Sequence, residues 1–262
     1  MAWERTGAGP PLVLVHGTPT WSYAWRAVAR TLSRRFAVYR WDLLGYGDSD
    51  QGEGQDVSIA AQARYLGELL DLWELERPAV AGHDIGGAVV LRTHLCEGRP
   101  FAAIGLVDAV VFRPWITPTT VHMREHMGAY ATMPPHIYEE VVRAHLRTAM
   151  AVAPAPDVLE AYVRPWRGPV GQRAYLRKVE QLDERQTAEL EARLGDVAAP
   201  VRVIWGQHDA WLDPALATRL ATAIPGARAH VVPGAGHFAM EDDPDAVASL
   251  LGELAEQGSE RA

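Results

Sequence analysis

Asp84 stands where an apolar run breaks. Ala79-Val80-Ala81 leads into Gly82-His83-Asp84-Ile85-Gly86-Gly87, and an apolar, helix-like stretch follows. Gly-x-Asp-x-Gly-Gly in that setting is the sequence form of a strand that stops, turns sharply and enters a helix, with its tip residue pushed out over the sheet. Glycines flank the tip because the turn leaves no room for side chains. Serine is the usual tip residue, and it acylates. A carboxylate attacks saturated carbon instead and becomes an alkyl ester. The chemistry implied is opening of an epoxide or displacement of a halide rather than ordinary ester hydrolysis. A Gly-rich turn with a solvated Asp satisfies the same pattern taken alone.

Two later segments supply partners for Asp84. Val201-Arg202-Val203-Ile204-Trp205 reads as a buried strand and is followed by Gly206-Gln207-His208-Asp209, a turn carrying a carboxylate. Ala229-His230-Val231-Val232 reads as a strand and runs into Pro233-Gly234-Ala235-Gly236-His237. Each candidate therefore sits just past the C-terminal end of a strand, where open α/β sheets place their ligands. His208, beside the acid, reads as a loop residue.

The chain resembles the epoxide hydrolase and haloalkane dehalogenase branch of the α/β-hydrolase superfamily over almost its whole length. The motifs are His16-Gly17-Thr18-Pro19, Asp42-Leu43-Leu44-Gly45-Tyr46-Gly47-Asp48-Ser49, the Asp84 elbow, Asp209 and His237. The resemblance implies a catalytic triad of Asp84, Asp209 and His237, in the superfamily's order of nucleophile, acid and histidine. It also implies an oxyanion hole from the amides of Thr18 and Ile85. Those amides face the carboxyl oxygen of Asp84 and stabilise the tetrahedral species formed when water attacks the ester. His16 and the Asp42–Ser49 loop are expected to be structural.

Strand-like segments near 11–15, 37–41, 78–82, 102–107, 201–205 and 228–232 alternate with helix-like stretches at 22–33, 57–74, 86–97, 214–223 and 243–256. That alternation predicts an α/β fold with a mostly parallel central sheet and helices on both faces. Only about ten residues precede the first buried strand, so an N-terminal edge strand is expected to be missing or abbreviated. From Phe112 to about Arg193 no buried β pattern occurs, and helix-like runs are broken by Pro114, Pro118, Pro134-Pro135, Pro154, Pro156, Pro165 and Pro169. The resemblance makes this a helical cap over the elbow: core 1–111, cap 112–193, core 194–262. The tail Glu256-Gln257-Gly258-Ser259-Glu260-Arg261 reads as a frayed end.

The two substrate classes differ in what stabilises the leaving group. By resemblance, dehalogenases take halide donors from a Trp after the nucleophile and from a cap Trp or an Asn in the His-Gly-x-Pro turn. This chain has Ile85 and Thr18 at those core positions, which weakens that reading, although Pro19-Thr20-Trp21-Ser22-Tyr23-Ala24-Trp25-Arg26 resembles the dehalogenase segment and Trp166 is a candidate cap donor. An epoxide oxygen needs an acidic proton, by resemblance from a cap Tyr. Tyr175 is the first candidate and Tyr130 the second. Fluoroacetate-type dehalogenases place an Arg after the nucleophile, so Ile85 disfavours an anionic acid. Epoxide hydrolase ranks first, haloalkane dehalogenase second, and an esterase-like or lactonase-like enzyme or a non-catalytic binding protein of the same fold third.

The 262 residues suit one sizeable domain or a core with an insertion. A formal net charge of −8 argues against nucleic acid as a partner. Cys96 is the only cysteine, so no disulfide forms within the chain; this fits a reducing cytoplasm. No signal-like N-terminus and no membrane-length apolar run occur. The expected partner is a small apolar epoxide or haloalkane-like molecule, with no cofactor and no metal. Monomer and homodimer both stay open.

Overall fold

The structure is a computed structural model that describes residues 1–259. Its sheet has the strand order β1 (Trp3–Thr6), β3 (Ala37–Trp41), β2 (Pro11–Val15), β4 (Ala79–His83), β5 (Ala103–Val107), β6 (Val201–Gly206), β7 (Arg228–Val232). All neighbours pair in parallel except β1, which runs antiparallel to β3 with Trp3 opposite Trp41. The expectation of a missing or shortened edge strand is corrected in part. One antiparallel strand is present, and its exposed, non-alternating residues explain why no hydrophobic pattern marked it. β4, β5 and β6 are buried at every position, which is why they read as continuous apolar runs rather than alternating ones.

Core helices are α1 (Arg26–Leu32), α2 (Ile59–Leu72), α3 (Ile85–Leu95), α10 (Ala215–Ala223), α11 (Ala239–Asp242) and α12 (Pro244–Ser259). α1 packs on α12 and α2 on α3, and α12 and α3 both lie against the central strands. The single helix expected over 22–33 is a 3₁₀ turn, Ser22–Trp25, continued by α1. The tail expected to fray does not do so through residue 259. α12 continues there because Gly258 seats against Ala102, whose carbonyl oxygen would lie 2.8 Å from an added Cβ. The rest of that expectation, at Glu260 and Arg261, lies outside the described residues.

Six helices lie between β5 and β6: α4 (Pro118–Glu125), α5 (Met127–Ala131), α6 (Pro135–Arg147), α7 (Pro156–Val163), α8 (Gly168–Gln181) and α9 (Arg185–Glu191). Four of the prolines that interrupt the helical pattern open α-helices. Pro118, Pro135, Pro156 and Pro169 occupy first-turn positions, where the missing N–H is not needed. α8 is the central helix, packed by α4, α5 and α6. Its C-terminal end is tied to the loop before α2. There Val57 N–H donates to Gln181 Oε1 at 2.7 Å and Gln181 Nε2 donates to the Gln55 carbonyl at 3.0 Å.

The turn between β4 and α3 is closely packed against β2. A Cβ on Gly86 would lie 2.5 Å from the His16 carbonyl oxygen and 2.6 Å from that of Val15. Backbone, not a flexible side chain, occupies that space. Gly86→Ala should therefore cost about 1–3 kcal/mol through overpacking. Urea unfolding of the variant checks this, and a midpoint equal to the parent's would mean that β2 yields freely.

Candidate active site

Asp84 is the N-cap of α3, with φ 52° and ψ −124°. A non-glycine residue in that region stores roughly 1–3 kcal/mol of strain, and the turn holds it because glycines surround it. A Cβ on Gly82 would fall 2.3 Å from the Gly86 carbonyl oxygen, and one on Gly17 2.4 Å from Asp84 Cβ. Thr18 N–H donates to Asp84 Oδ2 at 2.7 Å, and the Ile85 amide faces the same carboxylate. The loop that carries Thr18 is braced by His16. Its Nδ1–H donates to the Gly17 carbonyl at 2.9 Å, and its Nε2 accepts from Leu43 N–H at 2.9 Å. Both ring nitrogens are thereby occupied in turn structure. Asp42 likewise spends its carboxylate on the amides of Ser22 and Asp48.

His237 lies between two carboxylates. Its Nδ1–H donates to Asp209 Oδ2 at 2.9 Å, and its Nε2 stands 3.7 Å from Asp84 Oδ1, beyond hydrogen-bond range. Asp209 Oδ1 accepts the amides of Trp211 and Leu212 at 2.8 and 2.9 Å, which fixes the carboxylate. His208 is exposed. Burial works against the charge on both Asp84 and His237, but the attraction of their partners wins. Burial would raise Asp84, yet His237 holds it below the usual carboxylate range. Burial would lower His237, yet Asp209 and Asp84 hold it well above the usual histidine range.

Four residues that the sequence reading passed over complete the surroundings. Asp108 follows β5 with φ 42°, and its Oδ1 accepts Gly206 N–H at 2.7 Å. Its Oδ2 has no partner among the described residues, and burial together with nearby Asp209 raises its pKa well above normal. That shift biases its carboxyl toward the protonated form beside Asp209 and His237. Asp108, Asp209 and His237 bring ligand-type atoms within 4.8 Å of one another. Most of those atoms are already engaged by one another or by amides, so the cluster suits proton placement better than metal binding. A carboxylate just past a strand was the available signal for Asp108, the same one that marked Asp209. His83 donates from Nε2 to the His237 carbonyl at 2.9 Å; burial pushes its pKa down to about 3, so it stays neutral. From the insertion come Lys178 on α8 and His145 on α6. Both are buried and both line, with Asp84, a cavity of about 30 Å³. Thr18, Thr117, Thr120, Trp115 and Trp211 complete most of its wall. That volume holds about two water molecules.

The proposed leaving-group residues fall elsewhere. Trp166 donates its indole N–H to the Pro19 carbonyl at 2.9 Å, so its expected availability as a halide donor is corrected: the group is already spent on the core. Tyr175 is buried edge-on against Trp166 and Tyr138, behind the Lys178 ammonium and outside the cavity wall. Tyr130 is half-buried, packs against His122, and is likewise not part of that wall.

A model of the alpha/beta hydrolase family matches residues 12–250. The chain belongs to the alpha/beta hydrolase family. It is 40% identical to an alpha/beta hydrolase fold protein from Burkholderia ambifaria of solved structure, with TM-score 0.91 over 94% of this chain and 91% of that one. It is 28% identical to haloalkane dehalogenase 2 of Mycobacterium tuberculosis over 94% of this chain and 87% of the relative. A solved ancestral haloalkane dehalogenase shares the fold at 21% identity, with TM-score 0.81 over 98% of this hydrolase and 96% of that chain. The relatives thus agree with the branch that the motifs resemble. No helix among the described residues is long and apolar enough to cross a membrane.

Two outcomes follow from the charges. His237 has a raised folded pKa. The stability it adds should be complete below about pH 6.5, the unfolded value, and should fade as pH rises through the folded value. Urea midpoints of parent and His237→Gln should therefore converge with rising pH; a constant gap would contradict the raised pKa. Asp108→Asn keeps an acceptor for Gly206 N–H and should leave stability at neutral pH nearly unchanged. Asp108→Ala orphans that buried amide and should cost about 1–3 kcal/mol, read from the same unfolding curves.

Proposed function

We propose that this hydrolase opens small epoxides to vicinal diols through a covalent ester on Asp84, with residues 112–193 acting as a cap. The observation that carries the reaction type is the division of labour on the Asp84 carboxylate. Oδ2 is held by the Thr18 amide while Oδ1 points toward His237. A held oxygen and a free one are what an attacking carboxylate needs. Oδ1 attacks the less hindered carbon, the C–O bond breaks, and the oxygen takes a proton from the cap. Ester formation then removes the negative charge beside His237. Its proton affinity drops, the imidazolium gives its proton to solvent water, and the neutral imidazole is available as the base at the step that needs one. Neutral His237, oriented by Asp209, takes a proton from water, and the hydroxide adds to the ester carbonyl. The Thr18 and Ile85 amides stabilise the oxyanion. As it collapses the ester C–O bond breaks, and the departing diol oxygen takes the proton from His237. The Asp84 carboxylic acid then passes its proton to His237, which restores the resting pair. No cofactor enters these steps.

Epoxide is favoured over halide by the indoles. Trp115, Trp166 and Trp211 give their N–H groups to Thr187, Pro19 and Thr148 respectively, and Ile85 has none to give. The second reading, a haloalkane dehalogenase, is favoured by the activity that names the Mycobacterium tuberculosis relative.

His237→Gln should form the ester and fail to release it. Intact-protein mass spectrometry should show an epoxide adduct on the Asp84 peptide, and single turnover of the parent in ¹⁸O-water should place label in Asp84. An unlabelled Asp84 beside labelled diol would mean that water attacks the epoxide directly.

A further inference from the structure

Lys178 is the only lysine in the sequence; every other one of the 25 Lys and Arg positions is arginine. It is 4% exposed. Among the described residues no carboxylate pairs with its ammonium and no hydrogen bond holds it. What holds it is aromatic. Nζ sits 3.6 Å from the centroid of the Tyr175 ring and 5.7 Å from that of Trp166, positions in which the ring faces attract a cation. The same side chain lines the cavity of Asp84. Lys178 and Asp84 thus line one cavity, which puts the ammonium within reach of whatever Asp84 attacks.

We propose that Lys178 is the acid that protonates the leaving oxygen of a small epoxide, with Tyr175 serving as the aromatic seat of its ammonium. This rests on Asp84 as the nucleophile. As Asp84 Oδ1 bonds to carbon, the electron pair of the breaking C–O bond goes to oxygen, and that oxygen takes a proton from Nζ. Lys178 is left as a neutral amine and regains its proton from solvent water. Arginine cannot serve here, because guanidinium does not give up its proton near neutral pH. Three titratable groups face Lys178. Asp84 on the elbow favours its charge, His145 on α6 is held neutral by burial at a pKa of about 4, and the Tyr175 hydroxyl is raised beyond any working pH. Burial brings Lys178 itself down to about 7 against the pull of Asp84. Alkylation removes that pull, so Lys178 becomes a stronger acid while the oxygen becomes a stronger base.

One lysine gives one lysine signal. Protein labelled with ¹³C-lysine should show a single ¹³Cε resonance titrating near pH 7. A midpoint near the ordinary value of about 10.4 would overturn the proposal, and this measurement needs no variant at position 178. The kinetic test uses the His237→Gln background, where the ester accumulates, with 1,2-epoxybutane and 1-bromobutane as probes. Bromide leaves without a proton. Lys178→Met should slow ester formation from the epoxide about 10²–10⁴-fold and from the bromide at least tenfold less. Lys178→Arg should keep the charge yet remain slow with the epoxide. Equal losses on both probes, or an epoxide rate equal to the parent's, would overturn the acid role while leaving Asp84 as nucleophile. No ester from either probe would instead overturn Asp84 as nucleophile, and the proposal with it.

Discussion

A carboxylate held at the end of a buried strand must have its charge answered on the spot. Asp84 is 5% exposed, and the sheet beneath it is apolar. The backbone answers one oxygen through the Thr18 amide, and His237 lies 3.7 Å from the other. Much of the site follows from that requirement. The histidine must be charged to balance Asp84, so it needs a second carboxylate, and Asp209 is fixed to it by the amides of Trp211 and Leu212. Burial shifts two further groups in the same space toward their uncharged forms. Asp108 is raised and His83 is lowered, both first of all by burial.

This arrangement is poised rather than simply stable. His237 stands between the carboxyls of Asp84 and Asp209. In the proposed reaction, esterification of Asp84 removes the negative charge that faces His237. Backbone strain at Asp84 has the same character. The glycines at 17, 82 and 86 leave the chain no space to relax, so the tip residue stays raised toward the cavity.

The helical insertion lines the cavity with Trp115, Ile116 and Leu182 beside polar groups, Lys178 among them. α8 places Lys178 in the cavity wall against Trp166 and Tyr175, and Tyr46 from the core packs on Trp166 in turn. The indoles that could have stabilised an anion instead brace the insertion. Trp166 bonds back to Pro19, and Trp21 reaches the carbonyl of Ala161 at 3.0 Å. A tryptophan in this fold is therefore no sign of a halide site until the partner of its N–H is known.

The sequence by itself determined the parallel sheet, because strands buried on both faces leave unbroken apolar runs. It determined the elbow, because only glycines satisfy so close an approach of β2 and α3. It also marked Asp209 and His237, since each follows a legible strand. Strand β1 escaped because an exposed edge strand carries no hydrophobic period. Tertiary structure alone decided what the insertion offers. Helical periodicity says which residues share a face, but not which face meets the elbow. Tyr175 and Lys178 lie within one turn of α8, and only packing put the ammonium into the cavity wall and the phenol behind it. The same holds for Asp108. Its place after β5 was visible, but its protonation depends on burial beside a second carboxylate, and that is a property of space rather than of sequence.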